Sequence, residues 1–411
     1  MNTQDAPFDT AQEQGIPREE VLDRQERVRR RLLQAGLDAL LVVGRSFYDR
    51  VGDLAYLTNH FPPFPATVFS GQQKGLGHGL LLLPGEGPTA LVIDGRAYRE
   101  ELVVADEVRG GSDLGAVLAE LLRERRLATA RIGLVGEDIL PLAMFRALTQ
   151  ALPALELPAA GHLVRELRRR KSPAELRLLR RGAAIAGAGL KVAVELIGTV
   201  GHTPGASGTG ATVTESDVCA AGIAAAMREG ADFIRYLRVH SGPYSAWGSR
   251  WPQAMPRAIR VGELVDLDII GAYWGYQFDV LRTTVAGGRP DAGQRRVLEA
   301  VLEASRRAVA ACRPGTPCED VVRVANAYLE EQGYGRYART FMGHGIGLET
   351  VEEPYLAPGD RTPLEPGMVL CVEPGVYIPG WGGASIEEEI IVTGGAPEQI
   401  THYPAKLWAG P

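Results

Sequence analysis

Cysteine is scarce in this chain. Among 411 residues there are four, Cys219, Cys312, Cys318 and Cys371. That is too few for a disulfide framework, and their spacing fits no zinc finger. Cys312 and Cys318 could pair, but small buried thiols are the simpler reading of all four. Basic charge is not in excess: 44 Lys and Arg stand against 50 Asp and Glu, a formal charge of −6. A nucleic-acid binder needs a basic footprint, so no nucleic-acid partner is expected. Long apolar runs are missing too. Those present, such as Leu80 to Leu83, fall far short of the roughly 18 residues of a membrane span, so no membrane is expected. The N-terminal stretch M-N-T-Q-D-A-P-F-D-T lacks the basic start and apolar segment of a signal peptide. A reducing cytoplasm is the expected compartment.

What remains is ordinary globular composition, 45% hydrophobic and 23% charged, which argues against a disordered chain. At roughly 150 residues per domain the length suggests two or three domains. The first third alternates helix and strand. Helical periodicity runs from Arg18 to Ala35 and from Leu114 to Arg126. Short apolar strands are expected at Ala39 to Gly44, Gly79 to Pro84, Thr89 to Asp94 and Ile132 to Val135. This alternation implies a layered α/β domain. A basic run, Arg165 to Lys171, reads as a solvated linker and helix face. It leads into a helix start in which Ser172 caps, Pro173 takes the first position and Glu175 closes a capping box. That helix should reach about Ile197. The domain boundary is placed near Gly161, giving 1–160 and 161–411. Gly201 to Ala211 reads as a surface loop with His202 exposed. Thr214 with Asp217, and Thr316 with Pro317 and Glu319, mark two further helix starts.

The chemistry concentrates in the last third. L-V-D-L-D-I-I and Y-Q-F-D-V-L-R-T-T-V flank G-A-Y-W-G and form a hairpin. Alternation puts Asp266 and Asp268 on one face of the first strand. Folding can bring Asp268 and Asp279 together. Next comes F-M-G-H-G-I-G-L-E, where glycines clear bulk on both sides of His344. Glu373 ends the apolar strand V-L-C-V-E. In S-I-E-E-E-I-I, Glu387 and Glu389 share a strand face and Glu388 takes the other. Carboxylates inside apolar strands are costly unless a positive charge compensates them. Asp268, Asp279, His344, Glu373 and Glu387 together offer four carboxylates and one imidazole. This set suits two divalent ions such as Mn, Zn, Co or Fe, since four negative ligands balance two dications. Two such ions would lower the pKa of a shared water and clamp a developing oxyanion.

The motifs D-x(10)-D, H-G-I-G-L-E, V-E-P-G-V-Y and S-I-E-E-E, in this order, resemble the pita-bread metallopeptidase family of methionine aminopeptidase, aminopeptidase P, prolidase and creatinase. R-R-K-S-P-A-E-L and the N-terminal α/β domain extend the resemblance over nearly the whole chain. It implies an α/β N-terminal domain followed by an α+β pita-bread catalytic domain. It also implies a dinuclear hydrolase that cleaves a small peptide or peptide-like amide, as Xaa-Pro dipeptidase or aminopeptidase P does, through a metal-bridging hydroxide. Asp268 would chelate one ion, His344 and Glu373 the other, and Asp279 and Glu387 would bridge. Glu373 would shuttle the proton. Tyr377 matches a tyrosine near the cage, or packs at a strand end. A homodimer is common in the family.

The departures concern substrate handling. Where proline-specific members carry two histidines and an arginine, this chain has Trp251, Val351 and Ser385. His240 or His60 could substitute for an imidazole, or be structural. Trp247, Trp251 and Trp381 could line an apolar pocket or pack at a rim. Asp266 is an exposed or hydrogen-bonded strand residue, or an added ligand or supporting acid. The D-x-D pattern also resembles the dimethylsulfoniopropionate lyase branch, although Thr350 occupies the place of that branch's base. A lyase or creatinase-like C–N hydrolase is therefore the alternative function. A binding module without catalysis is the third reading.

Overall fold

In this computed structural model, residues 15–63, 74–95, 98–201, 212–248 and 251–408 are described. The loop expectation at 202–211, with His202, lies outside them. The chain divides into two compact units, Met1–Arg168 and Arg169–Pro411.

In the first unit, helix α1 (Arg18–Gln34) precedes strand β1 (Ala39–Arg45) and helix α2 (Gly52–Thr58). Strands β2 (His78–Pro84), β3 (Ala90–Ile93) and β4 (Glu107–Gly110) follow, then α3 (Leu114–Glu124), β5 (Ile132–Val135), α4 (Leu142–Ala151) and α5 (His162–Arg168). The sheet order is β4-β3-β2-β1-β5, with β1 antiparallel to β2 and parallel to β5. β1 and β2 carry almost unbroken Leu and Val because both faces are covered. The apolar runs of the sequence match β1, β2, β3 and β5 to within one residue at each end.

The second unit opens on the long helix α6 (Pro173–Gly198). Ser172 Oγ accepts from the Glu175 amide and the Glu175 carboxylate accepts from the Ser172 amide, so the capping box forms as read. α7 (Glu215–Arg228) starts with the same device at Thr214 and Asp217. Strands β6 (Phe233–Ser241), β7 (Leu264–Tyr273) and β8 (Tyr276–Val285) form an antiparallel sheet in that order. Trp274 and Gly275 turn the β7–β8 hairpin with positive φ of 52° and 76°, a two-residue turn whose twist suits the strands. One sheet face is largely apolar, with Arg282 and Thr284 at its β8 end. Leu237, Val239, Leu267, Ile269, Phe278 and Val280 pack with Ile185, Ala186 and Leu190 of α6. Gly182 permits this, since a Cβ there would lie 3.2 Å from the Phe278 ring.

Helices α8 (Ala292–Ala311) and α9 (Cys318–Glu331) lead into the second sheet. It comprises β9 (Gly343–Gly345), β10 (Glu352–Tyr355), β11 (Val369–Val372), β14 (Glu388–Ile391) and β15 (Glu398–Gln399), ordered β10-β9-β11-β14-β15. A separate hairpin pairs β12 (Gly375–Ile378) with β13 (Gly382–Ser385).

Three readings need correction. The N-cap of α9 is Pro317, which offers no side-chain acceptor, so Thr316 does not cap it. The basic run is only partly solvated. Arg168 is buried against Asp53 at 2.6 Å and Lys171 against Glu352 at 3.3 Å, because a buried charge needs an opposite partner. Glu387 lies just before β14 rather than in it. All four cysteines are free thiols, and Cys219 is only half-buried.

Candidate metal centre

The site begins as the polar face of the β6–β8 sheet. The register sets Tyr236 opposite Ile270, Arg238 opposite Asp268 and His240 opposite Asp266. Across the other edge Asp266 faces Thr283, and Ile270 faces Asp279. Alternation therefore places Asp266, Asp268 and Asp279 on one face, away from the apolar cluster. Asp268 and Asp279 are diagonal neighbours within hydrogen-bond reach.

The second sheet supplies the rest. His344 of β9 lies opposite Cys371 of β11, and Cys371 opposite Glu389 of β14. Gly343 makes this approach possible: its φ is 149°, and a Cβ would sit 2.0 Å from the Cys371 carbonyl oxygen. Ligand atoms of Asp279, His344, Cys371 and Glu387 all fall within 4.8 Å of one another. His344 Nε2 is 3.8 Å from Asp279 Oδ2 and 3.8 Å from Glu373 Oε1. The five residues singled out in the sequence thus converge, and all are buried.

The electrostatics are those of a crowded acidic cage. Burial, reinforced by Glu387, Asp268 and Glu373, drives the Asp279 carboxyl well above its usual range. Burial and Glu373 do the same to Glu387. Glu373 is pushed up to about 7 by burial, with the Arg339 guanidinium pulling the other way. Burial lowers His344 to about 4, so its ring is neutral near pH 7. Its Nδ1 lies 3.1 Å from the Gly345 carbonyl oxygen and must donate there. That leaves the Nε2 lone pair facing the carboxylates. Among the described residues, the buried Asp268 Oδ1 and Glu387 Oε1 have no hydrogen-bond partner. Hard oxygen donors, one imidazole and two orphaned carboxylate oxygens fit divalent cations.

Several groups around the cage were not singled out in the sequence. Arg339 Nη1 donates to Glu373 Oε2 at 2.5 Å, and its guanidinium lies 5.8 Å from the Tyr377 ring centre. Arg238 contacts both Asp266 and Asp268. The Cys371 thiol, inside the ligand cluster, is pushed well up by burial and stays protonated. Glu389 Oε1 accepts from the Asp279 amide, and burial raises this carboxyl to about 8. One signal was available: Tyr236, Arg238 and His240 repeat at the strand period, alternating with the apolar Leu237 and Val239.

The remaining candidates resolve individually. Asp266 is fully buried, accepts from Thr283 Oγ1 at 2.9 Å and is raised to about 6 by burial, against the opposing pull of Arg238. It is a hydrogen-bonded strand residue, not an exposed one. His240 is buried, with Nδ1 2.9 Å from the Trp247 carbonyl oxygen. His60 is buried in the first unit, where burial lowers it to about 4. The Tyr377 hydroxyl is buried, and burial raises it to about 12. Trp247, Trp251 and Trp381 are exposed, and Trp251 is the extreme at 85%. Val351 is half exposed, whereas Ser385 is fully buried and donates to the Pro374 carbonyl oxygen.

Comparison with known families is decisive for kinship. Residues 177–394 match Metallopeptidase family M24, and residues 24–170 match the Creatinase/Prolidase N-terminal domain. The chain belongs to metallopeptidase family M24. This M24 chain has the expected fold, a creatinase-type N-terminal domain and a pita-bread catalytic domain. It is 33% identical over 338 residues to "Probable dipeptidase PepE" of Mycobacterium tuberculosis, covering 80% of this chain and 84% of that one. It is 31% identical over 282 residues to "Xaa-Pro dipeptidase" of Pyrococcus horikoshii, covering 66% and 73%. Among solved structures, "Xaa-Pro dipeptidase from Bacillus anthracis" superposes with a TM-score of 0.78 at 29% identity, over 94% of this chain and 99% of that one. Family membership carries divalent-metal use with it. No helix among the described residues is long and apolar enough to cross a membrane.

Proposed function

We propose that this M24 enzyme is a metal-dependent dipeptidase acting on small peptides of the Xaa-Pro type. The carrying observation is the convergence of Asp268, Asp279, His344, Glu373 and Glu387 in one buried pocket, with orphaned oxygens on two of them. These five would hold two divalent ions of the Mn, Zn, Co or Fe group. When bound, such ions supply a water that is nucleophilic near neutral pH and polarise the scissile carbonyl. Glu373 carries the proton traffic. Its Oε2 is held by Arg339, its Oε1 faces His344, and its affinity for a proton is matched to neutral pH. It can accept a proton from the attacking water and return it to the leaving nitrogen. Tyr377 and His240 border this face of the pocket as supporting groups.

Trp251, Val351 and Ser385 put no imidazole or guanidinium at their positions, so substrate contacts differ from those of proline-specific members. Relatives named as dipeptidases do not favour the lyase or creatinase-like alternative. We also infer a cytoplasmic homodimer, which light scattering after size exclusion would test. The experiment for the activity itself is a panel of Xaa-Pro and other dipeptides given to chelated protein reloaded with each metal. Mass spectrometry should find the free amino acids. Elimination products alone, or no cleaved amide with any metal, would reject the reading.

A further inference from the structure

Asp266 has no place among the five cage residues, yet it is wholly buried beside them. Its partner explains why. Arg238 Nη2 lies 3.4 Å from Asp266 Oδ2 and 3.2 Å from Asp268 Oδ2. Arg238 Nη1 donates to the Gly248 carbonyl oxygen. The Arg238 side chain is only 6% exposed. Asp266 is itself pinned, because Oδ1 accepts from Thr283 Oγ1, and that hydroxyl also accepts from the Ser385 amide. The guanidinium therefore cannot swing away. Arg339 differs: its side chain is 26% exposed, and among the described residues its guanidinium has one hydrogen-bond partner, Glu373.

Resting on the metal reading above, we propose that Arg238, clamped by Asp266, is a positioning residue. It occupies Oδ2 of Asp268, reserves Oδ1 for a cation, and weakens the cation position that Asp268 serves. A guanidinium on one carboxylate oxygen removes a donor atom and adds a positive charge close to the ion. Its fixed geometry makes that penalty permanent. Occupancy of the weaker position would then follow the free cation concentration, while the position served by His344 stays filled. Asp266 is kept because it neutralises and aims Arg238.

The test is a Mn²⁺ titration of chelated full-length protein, followed by the free-Mn²⁺ paramagnetic resonance signal. Wild type should fill in two steps. The double variant R238M/D266L removes the cation together with its counter-charge, and should tighten the weaker step at least about tenfold while leaving the tighter one in place. R238K, which keeps a cation, should retain the wild-type curve. D266N keeps the side-chain shape, leaves the guanidinium's charge directed at Asp268, and should loosen the weaker step. A purely structural role would move both steps together, and far-UV circular dichroism checks that each variant folds. A weaker step that stays put in both R238M/D266L and D266N, or one that moves together with the tighter step, overturns the proposal and leaves the metal reading intact. Failure of wild type to bind Mn²⁺ at all overturns both.

Discussion

Adding a divalent cation to the chelated protein at pH 6 should expel protons from the cage. Burial and mutual repulsion raise Asp279 and Glu387 well above the carboxylate range, and burial pushes Glu373 up to about 7. At pH 6, therefore, Glu373 holds a proton when no cation is present, and the upward shifts of Asp279 and Glu387 act in the same direction. A dication needs bare carboxylates, so loading displaces the protons they hold. Each displaced proton makes affinity rise about tenfold per pH unit. Glu373 alone, at about 7, gives about a fivefold gain between pH 6 and pH 7, or about 1 kcal/mol. The sign is fixed: affinity climbs with pH through this window and levels off once the groups ionise unaided. Calorimetry in buffers of different ionisation enthalpy counts the protons directly. No proton release at pH 6, with affinity flat in pH, would contradict the raised carboxyls.

Other outcomes follow from the same structure. Arg282 is fully buried, pairs with Glu388 at 3.0 Å and donates to the Pro404 and Tyr403 carbonyl oxygens. Arg282→Met should therefore cost about 3–5 kcal/mol in urea unfolding, and an unchanged midpoint would contradict this. His60 is lowered to about 4 by burial, against about 6.5 in the unfolded chain. The unfolded state binds its proton first as pH falls. Its contribution of about 3 kcal/mol is thus present above pH 6.5 and lost by pH 4; His60→Leu should flatten that part of the stability profile. Arg339→Gln removes the cation that holds Glu373 ionised. The acid limb of kcat/KM should move up by about one pH unit, and an unmoved limb would separate Arg339 from the proton traffic.

The parts of the site legible in the sequence were those whose chemistry conflicts with their setting. Asp268, Asp279, Glu373 and Glu387 stand within or beside apolar strands, and His344 stands between glycines, so each posed a question that only a shared charge could answer. Arg238 and Arg339 posed none, because arginine is ordinary in half-buried strands and loops. Their importance comes from pairing across strands and between segments, as in Arg238 opposite Asp268, which is set by register rather than by neighbours. Cys371 read as a core thiol because V-L-C-V is apolar throughout, yet its face is the one turned to His344. Lys171 looked solvated in a basic run, and only the distant Glu352 explains its burial. Helix starts with reciprocal caps, at Ser172 and Thr214, were local and read correctly. At α9 Pro317 took the cap position from Thr316.

The most direct test is anomalous diffraction from crystals of the Mn²⁺-loaded protein, collected above the Mn absorption edge. Strong peaks are expected among Asp268, Asp279, His344, Glu373 and Glu387, with the His344 Nε2 side occupied at the lowest cation concentration. Peaks elsewhere on the surface, with none between these five side chains, would contradict it.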